Sequence, residues 1–305
     1  MKINFADIQS ERMRADLRYL TSDPLPCRTL NYTVPGHEQC TLYEADDYIC
    51  SQLSAAGYNP EVDLIPVQAW VADHEKPWGF RDPLPQEIWY NARNIWAIKQ
   101  GLKNDDIILL VAHKDSQSWL PLAPGAYDNG VGIVAVLEIC RILASARLDS
   151  SVGFLFCNEE HHPWTSINAA EKISISDLNV KAVLNIDSIG GKEDSAFMQS
   201  CTRYTTKEGR KIALLMKELN DHYSFGLNHS SVKNDMPNDD DGSFINAGIA
   251  NAVLVIGSYP YSDPMYHTIF DTFERVDMEN VLQTTKLILA TVYHLAASKV
   301  NLVLN

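Results

Sequence analysis

Short apolar runs that each lead into a histidine or a carboxylate constrain this chain more than any other feature. NIWAIK (94–99), IILLVA (107–112), VGFLFC (152–157), AVLNI (182–186) and NAVLVIG (251–257) are rich in aliphatic and β-branched residues. A strand covered by helices on both faces needs apolar side chains on both, so runs of this kind read as buried strands of a mostly parallel sheet. Segments with apolar residues at helical spacing alternate with them: Val131 to Ala146, Tyr204 to Tyr223 and Met278 to Ser298. Two more helices are expected near the start, at 8–20 and at 41–56, the second stopped by Gly57. The alternation predicts an α/β fold, a three-layer α/β/α arrangement around a central mixed, mostly parallel, twisted sheet.

No repeat, low-complexity tract or linker divides the sequence, so 1–305 is expected to form a single domain, with 195–262 as a candidate insertion over one sheet edge. The stretch from Ile65 to Asn91 holds several prolines and three tryptophans, Trp70, Trp78 and Trp89, and reads as irregular or edge-strand structure. The formal net charge of −14 repels phosphate backbones and anionic lipid, which argues against nucleic acid or a membrane surface as partner. The six cysteines show no C-x-x-C spacing, so a thiolate zinc site is not expected. Cys140 and Cys157 lie in strongly apolar segments and read as buried thiols, while Cys27, Cys40 and Cys50 leave room for a disulfide. The first residues, MKINFADIQSERMRADL, contain no apolar core of a signal peptide, so a cytoplasmic location is the expectation.

The polar residues that follow the apolar runs are not a random sample. IILLVA leads into His113 and Asp115, VGFLFC into Glu159 and Glu160, and AVLNI into Asp187. The loop after NAVLVIG carries Tyr266 and His267, and the turn before the 131–146 helix carries Asp128. Open α/β sheets bind ligands outside the carboxyl ends of their strands, which is where these residues fall. Singly, each has an ordinary reading: a surface histidine, a solvated pair of glutamates, an Asx turn. Together, two histidines and several carboxylates form a mixed N/O donor set of the kind that holds zinc, cobalt or manganese. Adjacent glutamates on an extended segment point in opposite directions, so one can bind metal while its neighbour faces water.

In this order the residues resemble the dizinc aminopeptidases of the M28 type, a family related to glutaminyl cyclases. The segments that carry the resemblance are VAHKDS (111–116), PGAYDNGVG (124–132), FCNEE (156–160), LNIDSIG (184–190), DDDGSFINAGI (239–249) and YHTIFDTFERVD (266–277), with RMRADLRYLTSD (12–23) similar to the leading helix. The resemblance implies two Zn2+ ions bridged by Asp128. Glu160 and His267 would complete one ion's shell, and His113 and Asp187 the other's. It further implies Glu159 as general base, Asp115 as the group that fixes the tautomer and tilt of His113, and Tyr266 as a residue that polarises the scissile carbonyl. The substrate implied is a peptide with a free N-terminus.

Four segments depart from the pattern. The glutamate pair continues as EEHHPWTS (159–166), where His161 is a candidate for facing the substrate, and an aspartate stands at 241 where the family often has a histidine. Asp240, in that same acidic run, is a candidate for attracting the substrate's α-amino group. VPGHEQC (34–40) resembles a cleft loop only loosely, and the tryptophan-rich stretch has no counterpart. Three other readings compete: a glutaminyl-cyclase-like acyltransferase with one zinc, a dizinc amidase or dipeptidase acting on short substrates, and a non-catalytic binding module. The last requires loss of a ligand or of the base, and none is lost here.

Overall fold

In the computed structural model, which describes residues 3–190, 198–258 and 263–297, two helices come first, α1 (Ser10–Thr21) and α2 (Thr41–Ala55). Strands β1 (Glu61–Ala69), β2 (Val71–Ala72), β3 (Phe80–Arg81), β4 (Trp89–Lys99) and β5 (Lys103–His113) follow, then α3 (Val131–Leu143), β6 (Ser150–Cys157), β7 (His161–His162) and α4 (Ser166–Ser174). The chain continues through β8 (Asn179–Ile186), β9 (Gln199–Tyr204), α5 (Lys207–Tyr223), β10 (Asn228–Lys233), α6 (Asp240–Asn246), β11 (Ala252–Ile256) and α7 (Met278–Ala296).

Nine strands form one sheet in the order β10-β9-β11-β8-β5-β6-β4-β1-β7, and β2 pairs with β3 in a separate hairpin. The four central strands, β11, β8, β5 and β6, run parallel to one another, while the β6–β4, β4–β1 and β1–β7 pairings on one flank and the β9–β11 pairing on the other are antiparallel. Strand β5 shows how the sequence makes the layers. Ile108, Leu110 and Ala112 join a core with residues of α1, α2, α3, α5 and α7, whereas Ile107, Leu109 and Val111 join another with residues of α4 and α6. Both faces are buried by alternating side chains, so the run reads as continuously apolar.

The expected α/β/α layers are thus present, with five helices on one face and two on the other. β1 is more regular than its prolines suggest, pairing with β4 from Glu61↔Trp96 to Gln68↔Trp89. Pro66 is tolerated because β7 pairs β1 only at Gln68 and Ala69, which leaves the outer side of residue 66 without a ladder partner to lose. Tyr204, expected to open a helix, ends β9 instead; the helix starts after Thr206, whose Oγ1 accepts from the Gly209 N–H at 2.9 Å. Within 195–262, β9 and β10 lie at the sheet edge, whereas β11 belongs to the parallel centre. All six cysteines are free thiols, with Cys140 and Cys157 buried. Among the described residues no helix is long and apolar enough to cross a membrane.

His229, on edge strand β10, sits in a buried hydroxyl cluster, with Nδ1 3.1 Å from Ser200 Oγ and Nε2 3.2 Å from Thr202 Oγ1. Burial, with some help from Lys217, pushes its pKa down to about 4. An unfolded histidine titrates near ~6.5, so the unfolded chain takes up this proton first. The contribution of His229 to stability is therefore complete above that pH and is lost as pH falls towards 4, by up to roughly 3 kcal/mol. Urea denaturation between neutral pH and pH ~4.5 should show a shallower decline for His229→Asn than for the parent chain. Equal pH slopes would contradict a buried neutral imidazole.

Candidate metal centre

Because β5, β6, β8 and β11 run the same way, their carboxyl ends open at one edge of the sheet, and the loops that follow them meet there. His113, Glu159, Glu160 and Asp187 lie at or within three positions of such an end, Asp128 is on the turn facing it, and His267 is carried by the longer segment after β11. That turn, 125–130, requires Gly125 in the left-handed region (φ +56°), where a Cβ would come within 2.4 Å of the Asp128 carbonyl oxygen. Asn129 ties it to the end of β8, donating from Nδ2 to Ile186 O at 2.8 Å and accepting from Gly132 N at 2.9 Å. Gly132 must be glycine because a Cβ there would lie 2.4 Å from the Ile186 carbonyl oxygen.

Asp128 stands at the middle of the site. Its Oδ1 is 3.0 Å from His113 Nε2 and its Oδ2 is 3.0 Å from His267 Nε2. His113 Nε2 also lies 3.3 Å from Asp187 Oδ1, and His267 Nε2 lies 3.3 Å from Glu160 Oε1. Two donors on one tetrahedral zinc, each about 2.1 Å from the ion, are separated by roughly 3.4 Å, so these spacings suit atoms that share a cation. Two groups of converging donors result, Asp128, Glu160 and His267 in one and His113, Glu159 and Asp187 in the other, each set within 4.8 Å of one another. Asp128, at hydrogen-bond distance from both histidines, is common to the two neighbourhoods.

The surrounding hydrogen bonds orient these groups. His113 Nδ1 lies 3.2 Å from the main-chain oxygen of Asp115, which turns Nε2 towards the carboxylates, where it would bind a cation once its proton is lost. The Asp115 carboxylate accepts from Glu159 N at 2.9 Å, from Glu160 N at 2.8 Å and from His161 Nδ1 at 2.7 Å. Asp115 thus holds both glutamates as well as His113. Asp271 accepts from Tyr127 N at 2.7 Å and Asp128 N at 3.0 Å, which joins the loop carrying His267 to the turn carrying Asp128. Gln117 donates to Asp128 Oδ2 at 2.9 Å and Glu160 Oε1 at 3.1 Å. Buried Arg28 donates to the carbonyls of Lys114, Leu20, Pro124 and Gly125, placing a cation behind the acidic cluster. His267 itself has φ +57°, a left-handed conformation that costs a non-glycine residue about 1 kcal/mol or more.

Electrostatics divide the carboxylates into two kinds. Burial opposes the charge on Asp128 and Asp115, yet the histidines beside them hold both carboxyls well below the usual range. Glu159 is pushed well above its usual range, first by burial and then by the charges of Asp239 and Asp240, and its Oε2 is buried without a hydrogen-bond partner. Burial works against the charge of His267, but Glu160 and Asp128 outweigh it and raise its pKa to about 10. Burial and the surrounding carboxylates keep the Tyr266 hydroxyl protonated. A site with this division can hold cations on some carboxylates and carry a proton on another.

A cavity of about 400 Å3 opens onto the centre, lined by His113, Asp128, Glu159, Glu160, Asp187, Tyr266 and His267. The two residues expected to face the substrate do not line it. His161 is fully buried, its Nδ1 against Asp115 and its Nε2 accepting from Leu30 N at 3.3 Å, because β7 turns the ring inward beneath the glutamates. Asp240 is also fully buried, its Oδ2 accepting from Cys157 Sγ at 3.0 Å. Its neighbour Asp239, at the N-cap of α6, faces the cavity instead. Sequence reasoning missed Gln117 and Asp271, and within the DDD run it preferred Asp240 to Asp239. Gln117 lies two residues past Asp115 in the same loop. Asp271 sits four residues past His267, a spacing that says nothing about its partner at 127–128 until the chain is folded.

The sequence profile of Peptidase family M28 matches residues 94–292, which include every one of these ligand-type residues. The chain belongs to peptidase family M28. This M28 chain is 29% identical over 214 residues to Aminopeptidase YwaD of Bacillus subtilis (strain 168), covering 66% of this chain and 44% of that protein. It is 27% identical to Leucine aminopeptidase 1 of Metarhizium robertsii, covering 68% and 55%. The chain therefore spans about half the length of the curated relatives it matches. The fold is that of the LapA aminopeptidase of Legionella pneumophila (TM-score 0.74, 18% identity, 96% and 73% of the two chains). A glutaminyl cyclase of Bacteroides thetaiotaomicron shares it equally well (TM-score 0.69, 16% identity, 94% and 98%).

Removing the Asp271 carboxylate leaves two buried backbone donors of the M28 centre without an acceptor. A buried donor left without an acceptor costs about 1–3 kcal/mol, so Asp271→Ala, which strands two, should lower stability by roughly 3 kcal/mol. It should also shed metal during dialysis at chelator levels that the parent tolerates, with Asp271→Asn in between. Unchanged urea midpoint and metal retention in Asp271→Ala would show that the two loops hold without it.

Proposed function

We propose that this protein is an aminopeptidase that uses two zinc ions to hydrolyse the N-terminal peptide bond of peptides. The observation that carries this reading is Asp128, whose two oxygens each lie 3.0 Å from a different histidine, with a further carboxylate beside each histidine. His113, Asp187 and Asp128 would hold one ion, and His267, Glu160 and Asp128 the other. Zinc there supplies Lewis acidity, polarising a carbonyl and making water more acidic. The names of the relatives support an aminopeptidase in particular.

Each remaining residue has a task that its surroundings support. Glu159, whose carboxyl is kept at a raised pKa, takes a proton from the attacking water and passes it to the leaving amine. Tyr266, held protonated, donates to the oxyanion that develops on the scissile carbonyl. Asp239, on the cavity wall beside Arg203 and Asn238, receives the free α-ammonium of the substrate. Asp115 does not touch substrate; it positions His113 and both glutamates. A one-zinc cyclase is the second reading, favoured by the fold it shares with glutaminyl cyclases. A complete second set of donors at His113 and Asp187 speaks for two ions.

Purified protein should carry two zincs per chain and release chromogenic amines from aminoacyl amides, with activity lost to chelator and no turnover of N-blocked analogues. Glu159→Gln should retain both zincs while kcat falls by about 10²–10⁴-fold, the range for a general acid–base group. One zinc per chain, or unimpaired turnover in Glu159→Gln, would overturn the assignment.

A further inference from the structure

The tryptophan-rich stretch is unexplained by the metal centre, and it builds a wall with a cavity on either side. Trp70, Phe80 and Trp119 form a row, with ring centroids 4.9 Å apart for the first pair and 4.2 Å for the second. The catalytic cavity, bounded by Trp70, Trp78 and Phe80 as well as by the metal centre, lies on one side. Beyond Trp70 is a second cavity of about 540 Å3, bounded by Trp70, Trp119, Val71, Ile88 and Leu120. Trp70 lines both, and Trp119 meets the His267 ring edge-on at 5.3 Å, so the two spaces adjoin at Trp70.

The chemistry of the second cavity differs sharply from that of the first. Among the described residues that line it, Glu87 is the sole carboxylate, and there is no histidine, lysine or arginine. Glu87 is already engaged by Arg81 NH2 at 2.8 Å and by Leu84 N at 2.6 Å. What remains is a largely apolar wall with the uncharged polar groups of Asn31, Gln86, Thr29, Ser118, Tyr32 and Tyr90 in it. Such a surface has no means of catalysis or of binding ions, and suits an uncharged chain with amide groups and apolar side chains. A peptide whose N-terminus lies in the catalytic cavity must lead its remaining residues out of it. The rival exit, past Trp164, is a cavity of about 280 Å3 against α4 and α6 that carries Glu171 on its wall.

We propose that the cavity beyond Trp70 is the subsite for the residues downstream of the scissile bond. Peptides of three or more residues, uncharged after the first position, are then better substrates than dipeptides. This rests on the aminopeptidase reading above. In the parent protein kcat/KM should be about tenfold higher for Leu-Ala-Ala-Ala-amide than for Leu-Ala-amide. Ala72→Trp and Ile88→Trp, at exposed lining positions where bulk is tolerated, should bring that ratio close to one with thermal midpoints unchanged. Ile167→Trp, in the cavity past Trp164, should leave the ratio as it is. Calorimetry on Glu159→Gln, which leaves the peptide intact, should show the tetrapeptide amide binding about tenfold more weakly once Ala72→Trp is added. Equal kcat/KM for the two peptides in the parent, or loss of the ratio through Ile167→Trp, would overturn the proposal. Failure to cleave either peptide or Leu-amide would instead contradict the aminopeptidase reading, and calorimetry would still decide whether the cavity binds the longer peptide.

Discussion

Mutual repulsion among buried carboxylates is the constraint around which this structure is arranged. Asp115, Asp128, Glu160, Asp187 and Asp239 are each at most 6% exposed, and Glu159 adjoins them on the same cavity. Bringing so much like charge out of water is unfavourable unless cations or donors face it. His113, His267 and Arg28 offset part of it, and main-chain N–H groups at 127, 128, 159 and 160 offset more. Metal cations are the natural complement to the remainder. The same crowding separates the acids by role. Asp115 and Asp128, beside histidines, are held low, whereas burial and neighbouring carboxylates push Glu159 and Asp239 up.

Holding such a cluster in place requires that no single loop be free to relax. Four loops and one turn contribute, and each is tied to another: Asp115 to the glutamates of the β6 loop, Asn129 to the end of β8, Asp271 to the 126–128 turn, Arg28 to the carbonyls on either side of it. Lys114, adjacent to His113, is fully buried with Nζ 2.6 Å from Asp46 Oδ1 and 2.9 Å from Asn158 Oδ1, which anchors the end of β5 to α2 and to β6. The converging donor side chains therefore stand on crosslinked backbone, the arrangement that keeps a site organised before ligand arrives.

Around this rigid centre the chain places an aromatic surround drawn from elements outside the parallel sheet core. The hairpin of β2 and β3 carries Phe80 to the cavity and Trp78 to its mouth, where Trp78 remains 73% exposed. Trp164, after the inward turn of β7, forms the opposite wall. The donor cluster and the aromatic surround are thus carried by different parts of the chain.

Much was legible from the sequence because it depends on local pattern. Apolar runs such as 107–112 determine strands buried on both faces, and a parallel sheet then delivers whatever follows those strands to one edge. That is why His113, Glu159, Glu160 and Asp187 could be picked out as neighbours although they are distant along the chain. Side-chain direction and long-range partnership were decided by tertiary structure alone. His161 and Asp240 carry the right chemistry, but β7 and the start of α6 turn them inward, and Asp239 takes the place at the cavity. Asp271 acts on backbone groups 143 and 144 residues away, and Arg28 joins Leu20 to carbonyls 86 to 97 residues from itself, which no spacing records. The tryptophan-rich stretch is recognisable as unusual in composition, yet its role as a wall between two cavities arises only from packing. Periodicity along a chain reports which face of an element is buried; it holds no information about what that face meets.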